Sequence, residues 1–154
     1  MRAVIQRVTA SSVSVDGVVV GAIGVGLNIF LCAMQGDTER HAQILAEKIT
    51  KLRIFADENG KMNRSVSDIG GAILLISQFT LAADIRKGNR PSFAAAADPQ
   101  RANALYERFA DLFRKMGVSQ VETGVFGADM HVEIQNDGPV TIILDTCDWP
   151  VGER

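Results

Sequence analysis

Residues 72–76, Ala-Ile-Leu-Leu-Ile, leave this chain few ways to fold. Five apolar residues in succession, after Gly70-Gly71, do not alternate between faces, so they read as a strand buried on both sides. The run then becomes Ser77-Gln78-Phe79-Thr80-Leu81: a hydroxyl, an amide, an aromatic ring and a second hydroxyl. Polar groups in a buried setting cost free energy unless they are used, so this strand end is read as a site. Its expected partner is Asn136-Asp137-Gly138-Pro139-Val140-Thr141, where Gly-Pro between two strand-like segments demands a sharp turn.

The remaining elements follow from periodicity and turn chemistry. Residues 3–8 and 12–20 are rich in β-branched side chains, and Asp16-Gly17 between Val15 and Val18 marks a hairpin. Gly21, Gly24 and Gly26 precede a mostly apolar strand at 27–34; they form no G-x-G-x-x-G and open a strand rather than a helix, so they read as bend or bulge residues. Asp37 or Thr38 caps a helix on which Ala42, Leu45, Ala46, Ile49 and Leu52 share one face, with His41 as a solvated surface residue. Residues 53–56 are strand-like and Asp57-Glu58-Asn59-Gly60 is a hairpin turn. Asp98-Pro99 starts a second helix whose Ala102, Leu105, Tyr106, Phe109, Leu112, Phe113 and Met116 face the core, and Gly117 ends it. Met130, Val132 and Ile134 alternate with polar residues, and 140–144 is read as the neighbouring strand across the Gly-Pro turn. About seven strands and two helices joined by short connections predict an α+β fold, with largely antiparallel sheets forming a barrel-like sandwich.

Composition excludes several functions. Sixteen Lys plus Arg against eighteen Asp plus Glu give a net charge of −2, so no overall positive field gathers DNA, RNA or anionic membrane, and any RNA contact is local. The best such contact is the loop Asp84-Ile85-Arg86-Lys87-Gly88-Asn89-Arg90-Pro91-Ser92-Phe93, which serves equally well as a phosphate contact or a solvated loop. No apolar stretch is long enough for a membrane span or a signal peptide, which makes the cytoplasm the expected location. Cys32 and Cys147 stand far apart without a C-x-x-C, so both read as plain thiols, and no metal or cofactor is expected. Two histidines, neither near a G-x-S-x-G, do not make a serine-hydrolase elbow, and Asp137 beside Gly138 reads as a turn residue rather than a general base. What remains is Ser77, Gln78 and Thr80, with free backbone N–H groups where the strand ends. Such donors suit an oxyanion better than covalent attack.

Residues 1–8, 77–81, 88–93, 126–130 and 136–141 together resemble the bacterial D-aminoacyl-tRNA deacylases, with S-Q-F-T-L and N-D-G-P-V-T as the most specific motifs. The resemblance covers residues 1–145 as a single domain and leaves 146–154 as a C-terminal extension. It implies hydrolysis of the ester joining a D-amino acid to the 3′ end of tRNA, a carboxylic ester hydrolase that proofreads chirality. It implies a homodimer in which Gly138 and Pro139, as a Gly-cis-Pro element, reach into the partner's pocket. Carbonyls set against the α-carbon there would admit hydrogen and reject an L side chain, so mischarged glycyl-tRNA should also be a substrate. By the same resemblance Ser77, Gln78, Phe79 and Thr80 form the floor and donors of the catalytic pocket, Met130 an apolar wall, and Arg7 a support for the Gly-Pro element. Without a base beside Thr80, attack by water assisted by the terminal ribose 2′-hydroxyl is preferred to a threonine nucleophile. Prolyl bonds are cis in only about 5–6% of cases, so it is the resemblance that implies the cis form here.

Two departures stand out: Ile85 occupies a loop position where a small polar residue is expected, and the extension carries Trp149-Pro150, either disordered or covering apolar surface at the dimer. Two other classes fit the residues without the resemblance. A non-catalytic RNA- or small-ligand-binding barrel would normally show a basic stripe with stacking rings. A purely structural dimer would tolerate replacement of Gln78 and Gly138.

Overall fold

β1 (Arg2–Val15) is the backbone of the architecture, because three other strands pair with it. In the computed structural model, which describes residues 1–149, it hydrogen-bonds antiparallel to β2 (Val18–Ile23), β3 (Gly26–Cys32) and β8 (His131–Asp145). The β1–β2 hairpin turns at Asp16 and Gly17, both with positive φ (50° and 79°), as a tight two-residue turn requires. From β3 the sheet continues through β6 (Ala72–Ser77) to β7 (Gln120–Thr123). The Gln120 amide of β7 donates to the Ala22 carbonyl of β2 at 3.2 Å, so the outer strands meet and the sheet nearly closes into a barrel. β4 (Phe55–Ala56) and β5 (Met62–Arg64) form a separate hairpin across the Asp57–Gly60 turn.

β6 is parallel to both its neighbours, β3 and β7. The expected short connections do not hold for these two pairs. The chain between β3 and β6 holds α1 (Glu39–Thr50), and that between β6 and β7 holds α2 (Pro99–Lys115), each a crossover that returns the chain in the same direction. β6 is buried on both faces, as its composition requires: Ile73 and Leu75 pack with Leu45, Ile49, Phe109 and Phe113 of the two helices, while Leu74 and Ile76 pack with Val8, Val13 and Ile23 inside the barrel.

Both helices start where capping chemistry places them. Asp98 accepts from the Arg101 N–H at 3.0 Å with Pro99 in the first turn. Thr38 caps α1, and its own N–H donates to His41 Nδ1 at 3.1 Å. His41 thus takes the place glutamate holds in a capping box and is more than a solvated surface residue. Asp37, in the preceding turn, ties distant parts together: its carboxylate accepts from the Met1 ammonium at 2.7 Å and the Met34 N–H at 2.6 Å, and its carbonyl from Arg101. Thr146 also accepts from the Met1 ammonium.

The Gly-Pro segment is not a turn between neighbouring strands. Residues 141–145 pair with Arg2–Gln6 and residues 131–136 with Val8–Ser14, so both halves of one long strand lie on β1. Between the pairs Gln6–Thr141 and Val8–Asn136, four residues of β8 stand opposite Arg7 alone and must bulge from the ladder. Asp137, Gly138 and Pro139 are exposed there, and the Gly138-Pro139 bond is cis. Trp149 packs on the main core, with Lys48 Nζ 6.0 Å from its ring centroid, so it covers apolar surface of its own chain. Pro150 and the rest of the extension lie outside the described residues. No helix among the described residues is long and apolar enough to cross a membrane.

Candidate active site

β6 ends beside a cavity of about 620 Å³, lined along one side by Ile76, Ser77, Gln78 and Phe79. The strand's last rung is the Gln78 N–H donating to the Leu31 carbonyl at 2.8 Å, after which Phe79–Ala82 coil into a 3-10 helix. The N–H groups of Phe79 and Thr80 open that helix and have no backbone acceptor among the described residues. Arg2 fixes the turn, its Nη1 donating to the Leu81 carbonyl at 2.6 Å while its Nε donates to Asp145 at 2.8 Å.

Behind the floor, Tyr106 of α2 donates its hydroxyl to the Leu75 carbonyl at 2.7 Å, and Gly124 donates its N–H to the same oxygen at 3.1 Å. Burial pushes the Tyr106 phenol up to about 12, so at working pH it is a fixed donor holding β6, α2 and the exit of β7 together. Cys32 lies under Phe79, with its Sγ 3.6 Å from the Phe79 carbonyl; burial pushes the thiol up, so it supplies no thiolate at neutral pH. Cys147 is likewise pushed up, to about 11, chiefly by its hydrogen bond with Asp145.

The opposite walls come from three segments. Phe93 meets Phe79 edge-on, with centroids 5.0 Å apart. Ala96 and Ala97 follow, held by the Ala97 N–H donating to Ala33 at 2.9 Å. Phe126, Met130 and Val132 close the far side, and Met130 lies over Gly124, where a Cβ would stand 2.6 Å from its sulfur. Asp129 is the one ionisable side chain among the described lining residues, and no group of three metal-ligating side chains occurs among the described residues.

Ser77, Gln78, Phe79 and Met130 therefore come together at one cavity. Thr80 does not line it: exposed at the turn, its hydroxyl accepts from the Gln78 amide, and no base touches it. Gly138, Pro139 and Arg7 also lie outside the lining. Arg7 backs the bulge, its Nε donating to the Asp137 carbonyl at 3.1 Å and its Nη1 to the Ile54 carbonyl at 2.6 Å. Ala96, Ala97 and Asp129 also line the cavity and were not singled out in the sequence. The signal for the alanines was the run Ala94–Ala97, four small residues between an aromatic and a helix cap, and that for Asp129 its place within 126–130.

Known proteins are similar to this chain over nearly its whole length. The model of the D-Tyr-tRNA(Tyr) deacylase family matches residues 4–145. A D-aminoacyl-tRNA deacylase of Paracoccus denitrificans is 59% identical, covering 96% of this chain and 99% of its own. One from Ruegeria pomeroyi is 63% identical, covering 94% and 99%. The solved structure titled c-Myc DNA Unwinding Element Binding Protein superposes with a TM-score of 0.89 at 44% identity, covering 94% of this chain and 98% of its own. At 17% identity, a probable eukaryotic D-amino acid tRNA deacylase shares the fold, with a TM-score of 0.79 over 93% of this chain and 97% of its own. The match in sequence and fold runs through every strand that builds the cavity, and the chain belongs to the D-Tyr-tRNA(Tyr) deacylase family.

Proposed function

We propose that the cavity receives the aminoacylated 3′ end of tRNA and that hydrolysis there depends on position and backbone donors rather than on a side-chain nucleophile. The observation that carries this reading is the strand end and the lining beside it: N–H groups of Phe79 and Thr80 without a backbone acceptor among the described residues, a polar floor at Ser77 and Gln78, and walls that are apolar apart from Asp129. Preorganised donors in a poorly solvated site stabilise the oxyanion of an ester's tetrahedral intermediate. Water's oxygen bonds to the carbonyl carbon and the bond to the ribose 3′ oxygen breaks. A water proton passes by way of the 2′-hydroxyl to the departing 3′ oxygen, leaving free tRNA and the amino acid. Thr80, engaged by Gln78 and without a base, is a pocket-edge residue in this scheme.

Chirality is assigned to a partner chain. The Asp137–Val140 bulge is exposed, backed by Arg7 and outside the lining of its own cavity, which leaves it free to enter the cavity of a second copy. Ile143, 69% exposed on the same strand, adds apolar surface to such a homodimer interface. Backbone carbonyls of Gly138 and Pro139 would sit against the substrate α-carbon, accept hydrogen and reject an L side chain. D-amino acids and glycine would pass, which fits a cytoplasmic role in translation quality control.

With matched D- and L-tyrosyl-tRNA and a metal chelator present, rapid loss of the D ester alone is expected, with glycyl-tRNA also cleaved; persistence of the D ester overturns the reading. Asp129, as the ionisable residue of the lining, is the competing candidate for a general base. Asp129→Asn should hold kcat within about threefold, whereas a loss of about 100-fold or more would give the base role to Asp129.

A further inference from the structure

We propose that Lys87 and Arg90 form a phosphate-binding lip that holds the single-stranded end of the tRNA just outside the cavity, an inference that rests on the substrate reading above. The loop carrying them is anchored to the cavity at its base. Asp84 and Ser92 exchange backbone hydrogen bonds at 2.8 and 3.0 Å, closing the loop, and the next residue, Phe93, packs edge-on against Phe79 in the cavity wall. Arg90 stands three residues before Phe93, so the chain allows it at most about 11 Å from that wall.

The three cations of the loop are not equivalent. Arg86 is occupied: its Nε and Nη2 hold the Asp84 carboxylate at 2.9 and 2.6 Å, and its N–H adds a third bond at 3.0 Å. That pairing keeps the Asp84 carboxyl well below the usual carboxylate range, so the loop's own acid is neutralised by its own arginine. Lys87 and Arg90 are exposed and take part in no ion pair among the described residues. Two uncompensated positive charges thus stand on a chain whose net charge is −2.

The substrate needs a cation there. A terminal nucleoside fits apolar walls, but a phosphate does not leave water for them, so the strand must turn out of the cavity at its first phosphate. On an acidic molecule no diffuse positive field supplies affinity, and the contact has to come from charges beside the mouth. Ile85, 67% exposed, and Gly88, with φ of 72°, leave the loop tip free of core packing.

The test compares D-tyrosyl-tRNA with the D-tyrosyl ester of adenosine, which has no phosphate, in the K87Q/R90Q double variant. KM for the tRNA should rise about tenfold with kcat unchanged, and the plot of log(kcat/KM) against log salt should flatten by about 1.4, two single-strand contacts at about 0.7 each. The adenosine ester should be cleaved as before, and K87R/R90K should restore the tRNA kinetics. Unchanged KM and salt slope with tRNA overturn the proposal, as do equal losses on both substrates, which would make the loop structural. Wild-type protein inert toward both esters sinks the deacylase reading and this proposal together; wild-type activity with an unaffected double variant sinks this proposal alone.

Discussion

Gly26→Ala is expected to abolish folding or to lower stability by more than about 4 kcal/mol, a size reserved for substitutions with a specific steric cause. A Cβ on Gly26 would stand 1.9 Å from the Ala72 carbonyl oxygen and 2.7 Å from that residue's carbonyl carbon and nitrogen. These are backbone atoms of the strand to which Gly26 is paired, so no rotamer change relieves the clash. Relief requires β3 and β6 to part at the first rung, at the opposite end of the pair from the cavity floor. Gly24→Ala is the control: it has ordinary φ and nothing within 4 Å of the added methyl, so it should lie within about 0.5 kcal/mol of wild type. Urea midpoints decide the matter, and a Gly26→Ala protein within 1 kcal/mol of wild type, on the order of a routine substitution, would falsify the assigned β3–β6 contact.

Gly138→Ala should cost activity far more than stability. The residue has φ of 128°, and an added methyl would meet Val140 Cγ2 at 2.9 Å, the Val140 nitrogen at 3.0 Å and Arg7 Nη2 at 3.1 Å. Backbone strain of this kind costs about 1–3 kcal/mol, and the site is an exposed bulge away from both core clusters, so the chain should still fold. If the bulge gates a partner's cavity, its displacement should lower kcat/KM for D-tyrosyl-tRNA by about 100-fold or more, as small misplacements at a reacting centre do. Mixing then separates a gate acting in the partner from one acting in its own chain. A Gln78→Ala chain has a damaged pocket and an intact gate; a Gly138→Ala chain has the reverse. Refolded together in equal amounts, half the dimers are mixed, each with one complete site in two-fold geometry, so about a quarter of wild-type activity should return. No recovery, with both singles inactive, would place the gate in the same chain or nowhere.

Much of the scaffold was legible because short-range chemistry fixes it. The run Ala72–Ile76 could only be a buried strand; Asp16-Gly17, Asp98-Pro99 and Gly117 punctuate the chain as their backbone preferences require. Ser77, Gln78 and Phe79 stood out because polarity follows burial without a break. The parallel pairing was not read, although the clue was present: each of the two long connections contains a helix, and a helix between strands is the usual means of returning in the same direction. β7 was missed because Gln120–Thr123 is four residues with little alternation, held by its neighbours rather than by propensity. The Gly-Pro turn was misjudged because a bulge and a hairpin share residue preferences and differ only in which strand lies opposite, a long-range fact. Ala96 and Ala97 escaped notice as lining residues because alanines announce no chemistry of their own.

The shared direction of β3, β6 and β7 has a consequence for how such a protein can change over evolution. All three strands run out at one end, and the segments that follow them, 78–98 and 124–130 above all, supply most of the wall. These segments lie outside the named strands and touch the sheet at a few backbone bonds only, such as Gln78 to Leu31, Gly124 to Leu75 and Ala97 to Ala33. Substrate range can therefore drift by rewriting connectors while the strands stay fixed, whereas β1, with neighbours along both edges, leaves little room for variation. Diversity within such a lineage should collect in the parts of these connectors outside 77–81, 88–93 and 126–130, and constancy in β1.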